Sequence, residues 1–213
     1  MIVAAANYTW YVARAGGMLA FALLSASVVL GLLLSGKAKL ERWPRFALED
    51  VHRFVGLLAG SFIAIHVGAL LVDSYLPFSL RSVLVPFAAP YRPVAVAAGV
   101  IAAELLAALA ITNRYRSQLP YRFWRRAHYL NFAVWLLALV HGLAAGTDTT
   151  SAWALGLYAV SAAAVAGLTA RRVLVAMPTA GALALRLWPG TAALVTAELV
   201  VALALGPLGH NTG

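Results

Sequence analysis

The chain has 213 residues, of which 63% are hydrophobic, 11% are charged and none is cysteine. Water-soluble domains carry about a quarter charged residues, so this composition excludes an ordinary cytosolic fold and a disordered chain and points to a bilayer. The absent cysteines exclude disulfides, thiolate-held iron–sulfur clusters and thioether-attached haem; the net charge of +9 is scattered between apolar runs rather than gathered on a polar face, which argues against nucleic acid.

About 20 mostly apolar residues cross a hydrocarbon layer of about 30 Å. Six stretches qualify in chain order: 12–34, 51–72, 94–112, 127–145, 152–170 and 191–208. Between the fifth and sixth, the run from Arg172 to Gly190 is broken by Pro178 and carries Arg186, so it is expected to lie at the interface rather than to cross. The predicted fold is an all-α integral membrane protein, a six-helix transmembrane bundle forming a single domain over residues 1–213.

Basic residues flanking spans are retained on the cytoplasmic side. Lys37, Lys39, Arg42, Arg45 and Arg53 flank the first turn-around, Arg114, Arg116, Arg122, Arg125 and Arg126 the second, and Arg171, Arg172 and Arg186 the third. Only Arg14, Arg81 and Arg92 fall on the other side. Both termini are therefore expected outside. A cleaved signal peptide fits less well, because the N-terminus lacks a basic start and its apolar run is too long.

No soluble catalytic domain fits between the spans, and neither a G-x-G-x-x-G nor a phosphate-binding G-x-x-x-x-G-K-[ST] occurs, so a nucleotide cofactor would need a partner. No Ser or Thr is placed with a His and a carboxylate as a triad requires.

Four of the five histidines form two pairs on two spans, His52 with His66 and His128 with His141. Ionisable side chains inside a bilayer are costly and need a physical reason. Haem iron supplies one, since neutral imidazoles from facing helices can clamp a porphyrin inside an apolar bundle. At about 1.5 Å per residue the pairs are separated by about 21 and 20 Å, and both spans leave the same side, so His52 is level with His128 and His66 with His141. Two stacked bis-histidine sites are the expectation. The azimuths agree less well: fourteen residues return a straight helix to within about 40° of its starting face, whereas thirteen leave it about 140° away, so the fourth span must tilt or deform. Interhelical hydrogen bonding is the plainer role for a single membrane histidine. His210 has no matching partner and is read as unremarkable. Histidines about 20 Å apart on one helix cannot share one bare metal ion.

The run Arg125-Arg126-Ala127-His128-Tyr129-Leu130-Asn131-Phe132 to His141, together with His52-Arg53-Phe54 to His66, resembles the ferric reductase-like transmembrane domain over roughly residues 12–170. That superfamily includes the membrane halves of ferric reductases and NADPH oxidases and short standalone MsrQ-like haem proteins. The resemblance implies two haems b held by His52, His66, His128 and His141, and single-electron transfer across the membrane. The flavin and nicotinamide domains of the larger members do not occur in these residues, so the source of electrons is not encoded here; the expected donor is a cytoplasmic flavoprotein or a quinol, with flavin or quinone supplied by or shared with the partner, and the expected acceptor lies at the outer face. The expected location is a bacterial inner (cell) membrane.

Arginines can pair with haem propionates through charge-assisted bonds. Arg53, Arg125 and Arg126 are the inner candidates, though the positive-inside rule explains them equally well; Arg81, Arg92 and Tyr75 are the outer ones. Phe54, Phe62, Phe132 and Trp135 are spaced to line the interior; Trp10, Tyr11, Trp43, Tyr91, Trp124 and Trp153 read as interfacial anchors. Glu104 and Glu198 fall within spans, where carboxyls serve proton or quinol pathways or, more simply, bond to a neighbouring helix. The rival functions are a proton- or ion-conducting transporter and a haem-free membrane anchor subunit.

Overall fold

The computed structural model describes residues 2–36, 43–74, 76 and 78–176, with side chains described from Tyr8 to Val175 within those stretches. Among them there is no strand. The helices are α1 (Ile2–Ser35), α2 (Arg45–Val72), the short α3 (Leu80–Leu84), α4 (Pro93–Arg114), α5 (Tyr121–His128), α6 (Asn131–Ala145) and α7 (Ala152–Ala176), with a 3₁₀ turn at Arg116–Gln118. Five stretches are long and apolar enough to cross a membrane: Tyr8–Ser35, Arg45–Val72, Pro93–Arg114, Tyr121–Ala145 and Ala152–Val175. They match the first five expected spans with ends extended by a few residues. The predicted sixth span 191–208, with Lys37, Lys39, Arg42, Tyr75, Pro178, Arg186, Glu198 and His210, lies outside the described residues. The start of the expected interfacial run, Arg172 onward, continues α7 as helix.

Local chemistry sets the helix ends. Pro44 accepts the first amides of α2, Ala47 N–H at 3.0 Å and Leu48 N–H at 3.4 Å, and Arg45 pairs with Glu49 one turn on at 3.1 Å. Ser79 caps α3 by accepting the Ser82 amide at 3.2 Å. Pro93 opens α4, where its missing N–H costs nothing, after Arg92 in the left-handed region at φ 40°.

The described residues fall into two compact units. One comprises Met1–Phe21 and Ala59–Gly146. Here α4 packs along α6 through a face of small buried residues, Ala95, Ala98 and Ala102 among them, which lets the two backbones approach. Ala89, Val96 and Val100 form a buried cluster under Phe78 and Tyr91, and Phe21 stacks on buried Trp135 with centroids 6.4 Å apart. The connection after α2 is tied back by Asp73, whose carboxylate accepts the Thr9 hydroxyl at 2.6 Å and the Leu76 amide at 2.9 Å.

The second unit comprises Ala22–Leu58 and the residues from Thr147 on. Leu24, Val28 and Leu32 of α1, Leu48 of α2, and Ala154, Tyr158, Ala162 and Val165 of α7 are buried, the α7 set recurring at helical spacing along one face. Arg172 near the end of α7 donates to the Ser35 hydroxyl at the end of α1. Large apolar side chains stay exposed on both units, Leu57 at 75% and Val94 at 75% for example, as expected where the surrounding medium is lipid.

Candidate functional site

His66 on α2 and His141 on α6 meet: their ring centroids are 6.3 Å apart and their planes cross at 73°. Each ring is fixed by a bond from its Nδ1, His66 to the Ala13 carbonyl at 2.7 Å and His141 to the Ala95 carbonyl at 2.9 Å. A carbonyl only accepts, so Nδ1 carries the proton and donates, and the lone pair sits on Nε2. This is the arrangement of metal-ligating histidines, in which a second partner sets the tautomer and the ring orientation.

Glycines make the approach possible. A Cβ on Gly99 would lie 2.7 Å from His141 Nδ1 and 2.8 Å from its Cγ and Cε1, and one on Gly17 would lie 3.1 Å from His66 Nδ1 and 3.2 Å from its Cε1. Both rings thus rest on bare helix backbone, on α4 and α1 respectively. Gly16 lets the α1 backbone come close to that of His66, a Cβ there falling 3.4 Å from its N and Cα.

In the second unit His52 follows the same pattern. Its Nδ1 donates to the Ser27 carbonyl at 3.0 Å, with the Ser27 hydroxyl 3.4 Å away, and a Cβ on Gly31 would meet its Cε1 at 3.5 Å. Arg53 beside it is exposed and pairs with Asp50 at 3.5 Å.

His128, in the first unit, ends α5 and stacks on Trp124, with centroids 5.2 Å apart and planes 25° from parallel. Trp124 is therefore more than an interfacial anchor: its Nε1 donates to Asn113 Oδ1 at 3.0 Å and Arg116 lies over its ring at 5.6 Å. Asn131 donates to the His128 carbonyl at 2.8 Å.

The expected fourth span is broken directly after His128. Tyr129 N–H bonds Arg126 O at 3.2 Å, Leu130 N–H bonds Ala127 O at 2.9 Å and Phe132 N–H bonds Tyr129 O at 3.1 Å, each three residues back as in a 3₁₀ helix. A 3₁₀ residue advances about 120° instead of about 100°, so three or four of them reduce the angle between His128 and His141 from about 140° to about 60–80°. The expected fourth span is thus deformed between His128 and His141.

The other candidates divide. Arg125 is exposed and lies over the Tyr121 ring at 5.7 Å; Arg126 is exposed at the same end of the chain's fourth span. Arg92 donates to the Ala144 carbonyl and Tyr91 to the Ala145 carbonyl at 3.3 Å, so both cap the end of α6 just beyond His141. Arg81 is exposed on α3. Trp135 is buried, Phe62 and Phe132 are half-buried, and Phe54 is exposed, as is Glu104. Nothing in the sequence singled out Gly17, Gly31 and Gly99 or the carbonyls of Ala13, Ser27 and Ala95; a glycine inside an apolar helix is the one signal that could have suggested a close approach.

The His66–His141 geometry can be compared with a metal ion between two imidazoles. A bond of about 2 Å on each side, with each ring centre about 1.15 Å behind its nitrogen, puts the centroids about 6.3 Å apart. The observed centroid separation of 6.3 Å is compatible with that value. No group of three or more His, Asp or Glu converges among the described residues, so a bare ion would lack ligands, whereas a porphyrin brings four nitrogens of its own and asks the protein only for the axial pair. The residues present fit haem b.

No curated protein and no solved structure gives a comparable match to the chain. Residues 16–139, more than half of the sequence, match the family model described as ferric reductase-like transmembrane component. That stretch contains His52, His66 and His128 and ends two residues before His141, and it suggests a role in transmembrane electron transfer. The chain is an all-helical integral membrane protein that belongs to the ferric reductase-like transmembrane family.

Proposed function

We propose that this chain is a transmembrane cytochrome b that passes single electrons through two bis-histidine haems b, one held by His66 and His141 and the other by His52 and His128. The carrying observation is the outer pair: two imidazoles with ring centroids 6.3 Å apart, each with Nδ1 committed to a carbonyl. The pairing of His52 with His128 is offered on sequence alone, from spacings of fourteen and thirteen residues to His66 and His141 along two spans expected to run in the same direction.

When bound, haem b supplies an iron that alternates between ferric and ferrous states. The chain's own residues hold and orient it. His66 and His141 present Nε2 lone pairs; the carbonyls of Ala13 and Ala95 keep the rings from turning; Val134, Leu139 and Leu143, all buried on α6, help keep water out and so favour a single pair of ligands over exchange with solvent. Filled axial positions suit electron transfer rather than substrate binding at the metal. Arg53, Arg125 and Arg126 are offered as propionate partners at the inner end, and Arg81, Arg92 and Tyr75 at the outer end, Arg92 also donating to the Ala144 carbonyl.

Electrons would enter from a cytoplasmic flavoprotein or a membrane quinol and leave to an acceptor outside, in a bacterial inner membrane with both termini outside. Proteoliposomes with ferricyanide inside and a membrane-impermeant reductant outside test this directly. The expected result is protein-dependent reduction of the trapped ferricyanide that His66→Ala abolishes; equal rates with and without protein contradict the proposal.

A further inference from the structure

The two rings at the outer pair are neither parallel nor free to become so. They cross at 73°, and each has a carbonyl on its Nδ1 edge and a glycine beneath its face. Rotation of His141 about its bond to Cβ would break the 2.9 Å bond to Ala95 O, and rotation of His66 would break the 2.7 Å bond to Ala13 O. The crossing angle is therefore set by helix backbone, on α4 for one ring and α1 for the other, and glycine is the residue that lets that backbone reach the ring.

We propose, resting on the haem reading above, that Gly17 and Gly99 are positioning residues that hold the two axial imidazoles crossed and thereby set the electronic state of the outer iron. The consequence is spectroscopic. In a ferric low-spin centre, parallel axial rings interact with one of the two π-type d orbitals more than the other and split them. Crossed rings interact with both alike, the splitting falls, the orbital moment is less quenched and the largest g value rises. Crossing at 73° belongs to the second case.

The test is electron paramagnetic resonance of the oxidised, haem-loaded protein, with the outer signal assigned as the one lost in His66→Ala. The parent is expected to show that signal as a steeply anisotropic ramp with a large highest g value. Gly99→Ala places a Cβ within 2.8 Å of three ring atoms of His141, so the ring must turn, and the highest g value is expected to fall. Gly17→Ala, with contacts of 3.1 and 3.2 Å to His66, is expected to give a smaller fall, and it decides the matter if Gly99→Ala does not retain the group. Gly68→Ala, where nothing lies within 4 Å, is expected to leave the signal unchanged.

Retention of the parental g value in both Gly17→Ala and Gly99→Ala overturns the inference, as does a parental outer signal of the parallel-ring kind or an equal shift in Gly68→Ala. Each of these leaves the haem reading intact. A colourless parent protein overturns both.

Discussion

His141 donates from Nδ1 to the carbonyl of Ala95 at 2.9 Å, one helical turn before Gly99, on whose bare Cα surface its ring rests. One stretch of α4 thus supplies both the hydrogen-bond partner and the space. His66 has the same relation to Ala13 and Gly17, and His52 to Ser27 and Gly31, four residues apart each time. A carbonyl at one position and a glycine one turn later is a repeated way of presenting a helix-borne imidazole through Nε2.

If His66 and His141 hold one group between them, their removal is non-additive. His66→Ala and His141→Ala should each lower haem content by one equivalent, and the double variant should lose no more than either single variant. His66→Ala with His52→Ala should lose both. Pyridine haemochrome assay of the purified proteins checks this; additive loss in the His66/His141 double variant contradicts the pairing.

The 3₁₀ break after His128 depends on Asn131, whose side chain competes with the helix by bonding the His128 carbonyl at 2.8 Å. Asn131→Leu removes that bond, worth on the order of 1 kcal/mol, and favours a continuous helix in which His128 swings away from the face of His141. Selective loss or weakening of the inner haem, with the outer spectrum preserved, is the expected outcome. Spectral titration with haem during reconstitution measures it.

Trp124 stacks on His128 at 5.2 Å, a contact worth about 0.5–1.5 kcal/mol. Trp124→Ala should weaken inner-site haem retention by up to about tenfold, since about 1.4 kcal/mol is one decade. Trp124→Phe keeps a stacking ring but loses the bond to Asn113, and should fall between. Haem dissociation to an excess of apomyoglobin reads the difference.

Asp73 is buried and accepts from Thr9 and Leu76, tying the end of α2 to α1 one turn before Ala13, and it touches no proposed ligand itself. Asp73→Ala should cost about 2 kcal/mol, which for a chain of this size lowers the melting temperature by about 4–8 °C. The absorption spectrum below the transition should not change. A thermal shift series in detergent checks the first part and a spectrum the second.

Much of this architecture was legible because bilayer thickness imposes a length and a polarity on each span, and five apolar runs came out as helices with nearly the expected bounds. His66 and His141 were expected level with one another from rise per residue, and their rings do lie together. Azimuth was not legible, because it depends on whether three amides near Tyr129 bond three or four residues back, a choice made by Asn131 and the packing around it. The ring partners were hidden for a different cause: backbone carbonyls are the same at every position, so Ala13, Ser27 and Ala95 leave no mark in the sequence. Trp124 looked like one more interfacial aromatic, and only its stacking on His128 gives it a further role.

The most direct measurement is the haem content and absorption spectrum of the full chain purified from haem-supplied cells. The account predicts a Soret band, low-spin b-type spectra in both oxidation states, and two haems b per chain. A stably folded protein that remains colourless under those conditions would contradict it.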